Sequence, residues 1–203
     1  MTLASYLAFI VAAIALAIVP GPTVTVIIAN SLKHGTRAGL LNVLGTQIGV
    51  VIWLVIAALG LGAAIQVMGV WFDLLRYAGA IYLVWLGIKL FRSKGDLGVA
   101  TERVRPHGSF LLQGFVVIMS NPKMLVLFGF LIPPFIPHGA NVTWSTLELG
   151  ITFALIACFS DSMYALAAGR AGKWLSRKRI RALEIISGTC LIGGAAWMVS
   201  KGA

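Results

Sequence analysis

The first 32 residues carry no charge, and neither does the run from Ala38 to Phe72. Uncharged stretches of this length constrain the fold more than anything else in the chain. A helix crosses a bilayer with about 20 mainly apolar residues. In hydrocarbon every backbone N–H and C=O needs an internal partner, so such stretches fold as helices. The whole chain agrees with them. It is 59% hydrophobic and 11% charged, with a mean hydropathy of +0.95, which is more apolar surface than a soluble domain can hide. No basic segment precedes the first run, so it reads as a retained span and not as a signal peptide.

Six spans are predicted, near 3–31, 39–66, 72–91, 110–136, 145–169 and 183–200. Lys33 and Arg37 follow the first; Arg92, Lys94, Arg103 and Arg105 follow the third; Arg170, Lys173, Arg177, Lys178, Arg179 and Arg181 follow the fifth. The second-to-third connection has Asp73 and Arg76, and the fourth-to-fifth has Glu148 with no lysine or arginine. Positive charge marks cytoplasmic loops, so the odd-numbered loops are expected in the cytoplasm and both termini outside. Trp71 and Trp144 fall at the outer boundary and Trp174 at the inner one, where indole rings favour the interface. The net charge of +10 is thereby spent on topology, and a nucleic-acid partner is not indicated. The partner is the lipid bilayer.

The polar stretch 93–107 divides this single transmembrane domain into pseudo-repeats 1–92 and 108–203. Three spans per half make the halves run in opposite directions, an arrangement common among secondary transporters. The predicted fold is therefore an all-α membrane protein of two inverted three-helix repeats. Its first and fourth helices are interrupted at prolines. Pro22 answers Pro122, and Gly79-Ala80-Ile81-Tyr82-Leu83 loosely answers Gly188-Thr189-Cys190-Leu191.

The interruptions carry the chemistry. Pro20 and Pro22 remove the helical donors for the carbonyls of Leu16 and Ile18, and Pro122 removes the donor for Ile118. Each break leaves a negatively polarised C-terminal half-helix end and a positively polarised N-terminal one. A zwitterionic amino acid suits such ends, its carboxylate on amides after Pro22 and its ammonium on freed carbonyls. The expected site is Pro20, Gly21, Pro22, Thr23, Asn42, Asn121, Pro122, Lys123 and Tyr164, with Thr25 on the rim. Asp161 is the expected proton-coupling carboxylate. Lys123 and Asp161 are the charges furthest from the span ends, at a cost of at least about 2.5–3.5 kcal/mol each. Lys123 could neutralise Asp161 or hold a substrate carboxylate, and the bland alternative is a structural ion pair pinning span four to span five. Proline kinks and tyrosine packing are the bland readings of the other positions. Asn30, Asn42 and Gln47 are expected chiefly as interhelical glue, and Gly35-x-x-x-Gly39 and Gly45-x-x-x-Gly49 as close-packing surfaces.

His34, His107 and His138 are scattered, and Cys158 and Cys190 share no metal or redox spacing. No nucleotide fingerprint, phosphate loop or nucleophile–base set appears, so no cofactor and no enzyme activity are expected.

Val19-Pro20-Gly21-Pro22, Asn30 and Lys33-His34-Gly35-Thr36-Arg37-Ala38-Gly39, continued by Asn42-x-x-Gly45-x-x-x-Gly49, resemble the first block of the LysE/RhtB amino-acid exporters. Gly79-Ala80-Ile81-Tyr82-Leu83-x-x-Leu86-Gly87 is similar to the third span of that family, Gly114-Phe115 with Asn121-Pro122-Lys123 to its fourth, and Asp161-x-x-Tyr164 to its fifth. The resemblance implies a bacterial inner-membrane exporter of amino acids, driven by protons. With Asp161 alone among central acids, a neutral or polar cargo such as homoserine, threonine or leucine is favoured over a basic one. Efflux of another small metabolite or of a metal cation stands as the alternative within transport; a membrane redox or assembly protein and a purely structural subunit stand outside it. Glycine-rich faces admit a homodimer without specifying one.

Overall fold

Proline placement decides where the helices stop. In the computed structural model, which describes residues 1–68, 71–92, 109–137, 139–170 and 177–200, α1 (Leu3–Ile18) opens at Thr2, whose hydroxyl accepts from the Ser5 amide at 3.2 Å. The chain then turns by 51° into α2 (Pro22–His34). Pro22 sits at the start of α2, where a missing N–H costs nothing because the first turn has no intrahelical partner for it. Gly35 ends α2 with φ of +83°, a left-handed conformation that glycine takes without strain. The helix α3 (Thr36–Met68) follows directly, and then α4 (Trp71–Arg92).

The second interruption has the same plan. The helix α5 (Phe110–Met119), capped by Ser109, gives way at Ser120 and Asn121 to the short α6 (Pro122–Val126). A π turn over Leu127–Leu131 and a 3-10 turn over Pro133–Phe135 continue it, at 50° to α5. The sequence reading expected only the break at Pro122. The Pro133-Pro134 pair adds a second disturbance, since it cannot donate to carbonyls of the preceding turn, and Ile132 N bonds Leu127 O at 2.9 Å in the wider π register. Finally come α7 (Val142–Arg170) and α8 (Arg177–Ser200). The last helix begins earlier than the apolar run near 183, because arginine and lysine are good helix formers.

Among the described residues there is no strand. Among the described residues two helices are long and apolar enough to cross a membrane alone, α3 over Thr36–Gly60 and α7; counting each bent pair as one span raises this to as many as four. The linker 93–107 with His107, and also His138, Lys173 and Trp174, lie outside the described residues.

The helix α3 packs on α2, α5 and α7, while α4 packs on α8. Glycine permits the tightest of these crossings. A Cβ at Gly45 would collide with the Leu111 carbonyl, and one at Gly114 with the Asn42 carbonyl. The helices thus meet backbone to backbone, as small residues allow in membrane bundles. Away from these contacts the long helices turn apolar stripes outward: Leu44, Ile48, Val51, Val55 and Leu59 on α3, and Ile151, Leu155, Phe159 and Met163 on α7. Their spacing of three or four residues places each set on one helix face, as a lipid-facing surface requires. The interior is also apolar, with Phe9, Leu16, Ile27, Leu127, Leu131, Leu149 and Phe153 essentially buried. Phe9 meets Phe135 edge-on at 5.4 Å. At the far end of the chain, the Arg181 guanidinium donates to the Leu90 and Phe91 carbonyls that α4 leaves unpaired at its C-terminus.

Candidate functional site

The two breaks face each other. The Asn121 side-chain amide donates to the Thr23 hydroxyl at 2.8 Å, joining the residues around Pro122 to those around Pro22. Gly21 comes equally close, since a Cβ built there would lie 3.9 Å from the Lys123 ammonium nitrogen. Between them lies a cavity of about 30 Å³. Its polar lining is Thr23, Asn121, Lys123 and Asp161; Ala17, Val24, Val50, Met124, Phe153 and Ala157 supply much of the apolar wall.

Carbonyls at the first break are already occupied. Ile18 O, deprived of its donor by Pro22, accepts from the Tyr164 hydroxyl at 2.8 Å. Val19 O accepts from Lys123 Nζ at 2.8 Å. Gly21 O keeps local partners, the Thr25 amide at 2.9 Å and the Thr25 hydroxyl at 3.0 Å. At the second break the repair is entirely local. Ile118 O, which Pro122 cannot serve, accepts from Asn121 N at 3.1 Å, and the Asn121 side-chain oxygen caps α6 by accepting from Lys123 N at 2.9 Å.

Lys123 and Asp161 border the same cavity and attract each other across it. Among the described residues they do not form the direct ion pair that the bland reading required, because the ammonium is held by Val19 O. Asp161 is 7% exposed, and no described residue hydrogen-bonds its carboxylate. The cavity is thus bordered by one amine and one carboxyl group, the amine at the carbonyl end of α1. Thr23 and Val24, in the first turn of α2, add its positively polarised end.

Of the residues expected at the site, Gly21, Thr23, Asn121, Lys123 and Asp161 line the cavity. Pro20 and Pro22 set the break without lining it, Pro122 heads α6, and Tyr164 acts through Ile18 O. Asn42 lies elsewhere. It is fully buried in an amide network, accepting from Asn30 at 2.7 Å and donating to Phe110 O at 2.6 Å, while Asn30 also donates to Gln113 at 2.8 Å. Through these bonds Asn42 ties α2, α3 and α5 together, as expected of interhelical glue. Gln113 was passed over in the sequence, as was Glu184, which is 3% exposed and lies 3.6 Å from Arg181. Among the described residues no three His, Cys, Asp or Glu side chains converge as a metal site would need.

The sequence model of one family, described as LysE type translocator, matches residues 14–202. A homoserine/homoserine lactone efflux protein of Salmonella typhi is 28% identical over 202 residues, covering 98% of each chain. A leucine efflux protein of Salmonella choleraesuis is 32% identical over 157 residues, covering 75% of this chain and 70% of the relative. An uncharacterized membrane protein of Bacillus subtilis is 28% identical over 200 residues, covering 93% of this chain and 95% of its own. No solved structure matches.

Proposed function

The chain belongs to the LysE type translocator family, and on that premise we propose that it exports neutral or polar amino acids across the bacterial inner membrane in exchange for protons. The observation that carries the reading is the convergence of two backbone breaks on one small charged cavity inside an apolar bundle. Homoserine and leucine, cargoes in the relatives' names, carry an ammonium and a carboxylate on one carbon and differ beyond it; the lactone named beside homoserine keeps the amine and lacks the carboxylate. In this reading the ammonium of the cargo sits between the carbonyl end of α1 and Asp161. Its carboxylate faces Lys123 and the first turn of α2.

Proton coupling then follows from exclusion. A proton and a cargo ammonium compete for the same Asp161 carboxylate, so binding one releases the other. The cavity of about 30 Å³ has room for a water or two and is about tenfold below the smallest usual ligand pocket of ~300 Å³. Cargo therefore enters a wider conformation, and the described one is the closed member of an alternating-access cycle.

The packing supports six spans in two inverted repeats. A pseudo-two-fold relating the halves exchanges α3 with α7 and α4 with α8, and both pairs are in contact. It also turns the contact between α1 and α8 into one between the fourth span and α4, which the π turn supplies. Lys33, Arg37, Arg92, Arg170 and Lys178 at the odd-numbered connections favour a cytoplasmic location there and both termini outside. A metal cation is the weaker alternative, because the cavity offers one carboxylate and no thiolate or imidazole.

The test is efflux of leucine, homoserine and threonine from preloaded proteoliposomes under an imposed pH gradient. Export that accelerates when the receiving side is acidified supports the reading. Export of none of the three by correctly inserted protein contradicts it.

A further inference from the structure

Lys123 stands where the cargo is expected. Its ammonium donates to Val19 O at 2.8 Å, at the negatively polarised end of α1 and facing the cavity that holds Asp161. A carbonyl left at a helix break, reached from a cavity that a buried carboxyl group also lines, is the environment a primary ammonium would seek, and a primary ammonium is already in it. The lysine belongs to the second break, 104 residues away in the chain, and reaches across to the first.

We propose that Lys123 is a tethered stand-in for the cargo: its ammonium fills the cargo's ammonium seat when the site is empty and turns to the cargo's carboxylate when the site is loaded. This rests on the amino-acid reading above and names its recognition rule, which is a zwitterion. With Lys123 and Asp161 both charged, the empty cavity is neutral. A zwitterion keeps it neutral, replacing one ammonium by another at Val19 O and giving the displaced lysine a carboxylate. A bare amine, the lactone in one relative's name included, displaces the lysine without offering it a partner and leaves one positive charge in excess, so the rule sets this chain apart from that relative. An N-acylated amino acid brings a carboxylate but nothing for the seat. Uncompensated charge inside a membrane bundle is expensive, so both are rejected.

The rule makes a prediction that a merely structural lysine does not. Remove the charge of Lys123 and the empty cavity is left with Asp161 alone. A bare amine then restores neutrality, while leucine finds no cation for its carboxylate. A resident competitor also lowers the apparent affinity of whatever must displace it, and that handicap vanishes with the lysine.

The experiment measures binding of leucine and of 3-methylbutylamine, which is leucine without its carboxyl group, to the purified full-length protein in nanodiscs. The proteins compared are wild type, Lys123→Met and Lys123→Gln. The glutamine variant keeps a donor able to approach Val19 O, so it stays informative if methionine disturbs folding. Wild type is expected to favour leucine over the amine by ~100-fold. In both variants leucine should weaken ~10-fold and the amine tighten ~10-fold, each about 1.4 kcal/mol, bringing the two ligands to parity. A leucine-to-amine ratio unchanged from wild type, or loss of both ligands from folded variants, overturns the proposal. Its failure is separable from that of the parent reading: wild type that exports leucine while the variants keep the wild-type ratio sinks the stand-in alone. Wild type that binds and exports no amino acid sinks both.

Discussion

The two proline breaks look alike in sequence and are mended differently. At the second, the freed carbonyl and the helix cap are served locally: Asn121 supplies an amide to Ile118 O and a side-chain oxygen to Lys123 N. At the first, the orphaned carbonyls borrow their partners from afar, Ile18 O from Tyr164 on α7 and Val19 O from Lys123 on α6. A cap made by neighbours in the chain moves with its helix and cannot be exchanged without unravelling it. A cap borrowed from another helix can be surrendered to a ligand. On the proposed reading, one break is a fixed hinge, and the other is a seat with removable occupants.

Substitutions can break that distinction. The largest effect is expected from Asp161→Asn, which removes the anion opposite the borrowed caps. Truncating one partner of a buried charge interaction costs ~2–5 kcal/mol, so cargo affinity should fall ~30-fold or more, and export should stop responding to an imposed pH gradient. Transport by Asp161→Asn with wild-type pH dependence would remove this residue from the mechanism. Next comes Tyr164→Phe. It leaves Ile18 O buried and unserved, at about 1–3 kcal/mol, seen as a lowered unfolding temperature in detergent. Because Ile18 O adjoins Val19 O, the proposed seat, cargo affinity should shift with it. Asn121→Ala is the smallest. Losing this helix cap costs about 1 kcal/mol and the bond to Thr23 goes too, but the preference for zwitterion over bare amine should stay. A changed preference in Asn121→Ala would show that the second break belongs to the seat as well.

What the sequence revealed about this region follows from how local each cause is. A proline's missing donor acts within four residues, so both breaks and the carbonyls of Ile18 and Ile118 could be placed from Pro22 and Pro122, whereas Val19 O, which Lys123 occupies, was not named. Lys123 and Asp161 stood out because charge is costly in an apolar helix, and both line one cavity. Their relation was not legible. Whether Lys123 meets Asp161 or Val19 O depends on how two helices cross, and nothing local fixes that. The same limit explains Asn42. Its partners Asn30 and Phe110 lie 12 and 68 residues away, and only the close approach allowed by Gly45 and Gly114 brings α5 onto it. Glu184 escaped notice because six basic residues precede it between Arg170 and Arg181, and nothing local shows that α8 buries it. The π turn escaped because Pro133-Pro134 sits near a predicted span end, where proline is unremarkable.

Gly21 offers the most direct test that cargo lies between the breaks. A side chain there has room, its Cβ 3.9 Å from Lys123 Nζ and φ at an extended −129°. In a background with Cys158 and Cys190 replaced by alanine, a Gly21→Cys protein can be titrated with a small thiol-specific reagent, with and without saturating leucine. The account predicts that leucine slows modification ~10-fold or more, as occupancy of about nine-tenths of the sites would, and that N-acetylleucine leaves it unchanged. Equal modification rates with and without leucine, in a protein that still exports leucine, would mean that the breaks bend around a cargo bound elsewhere.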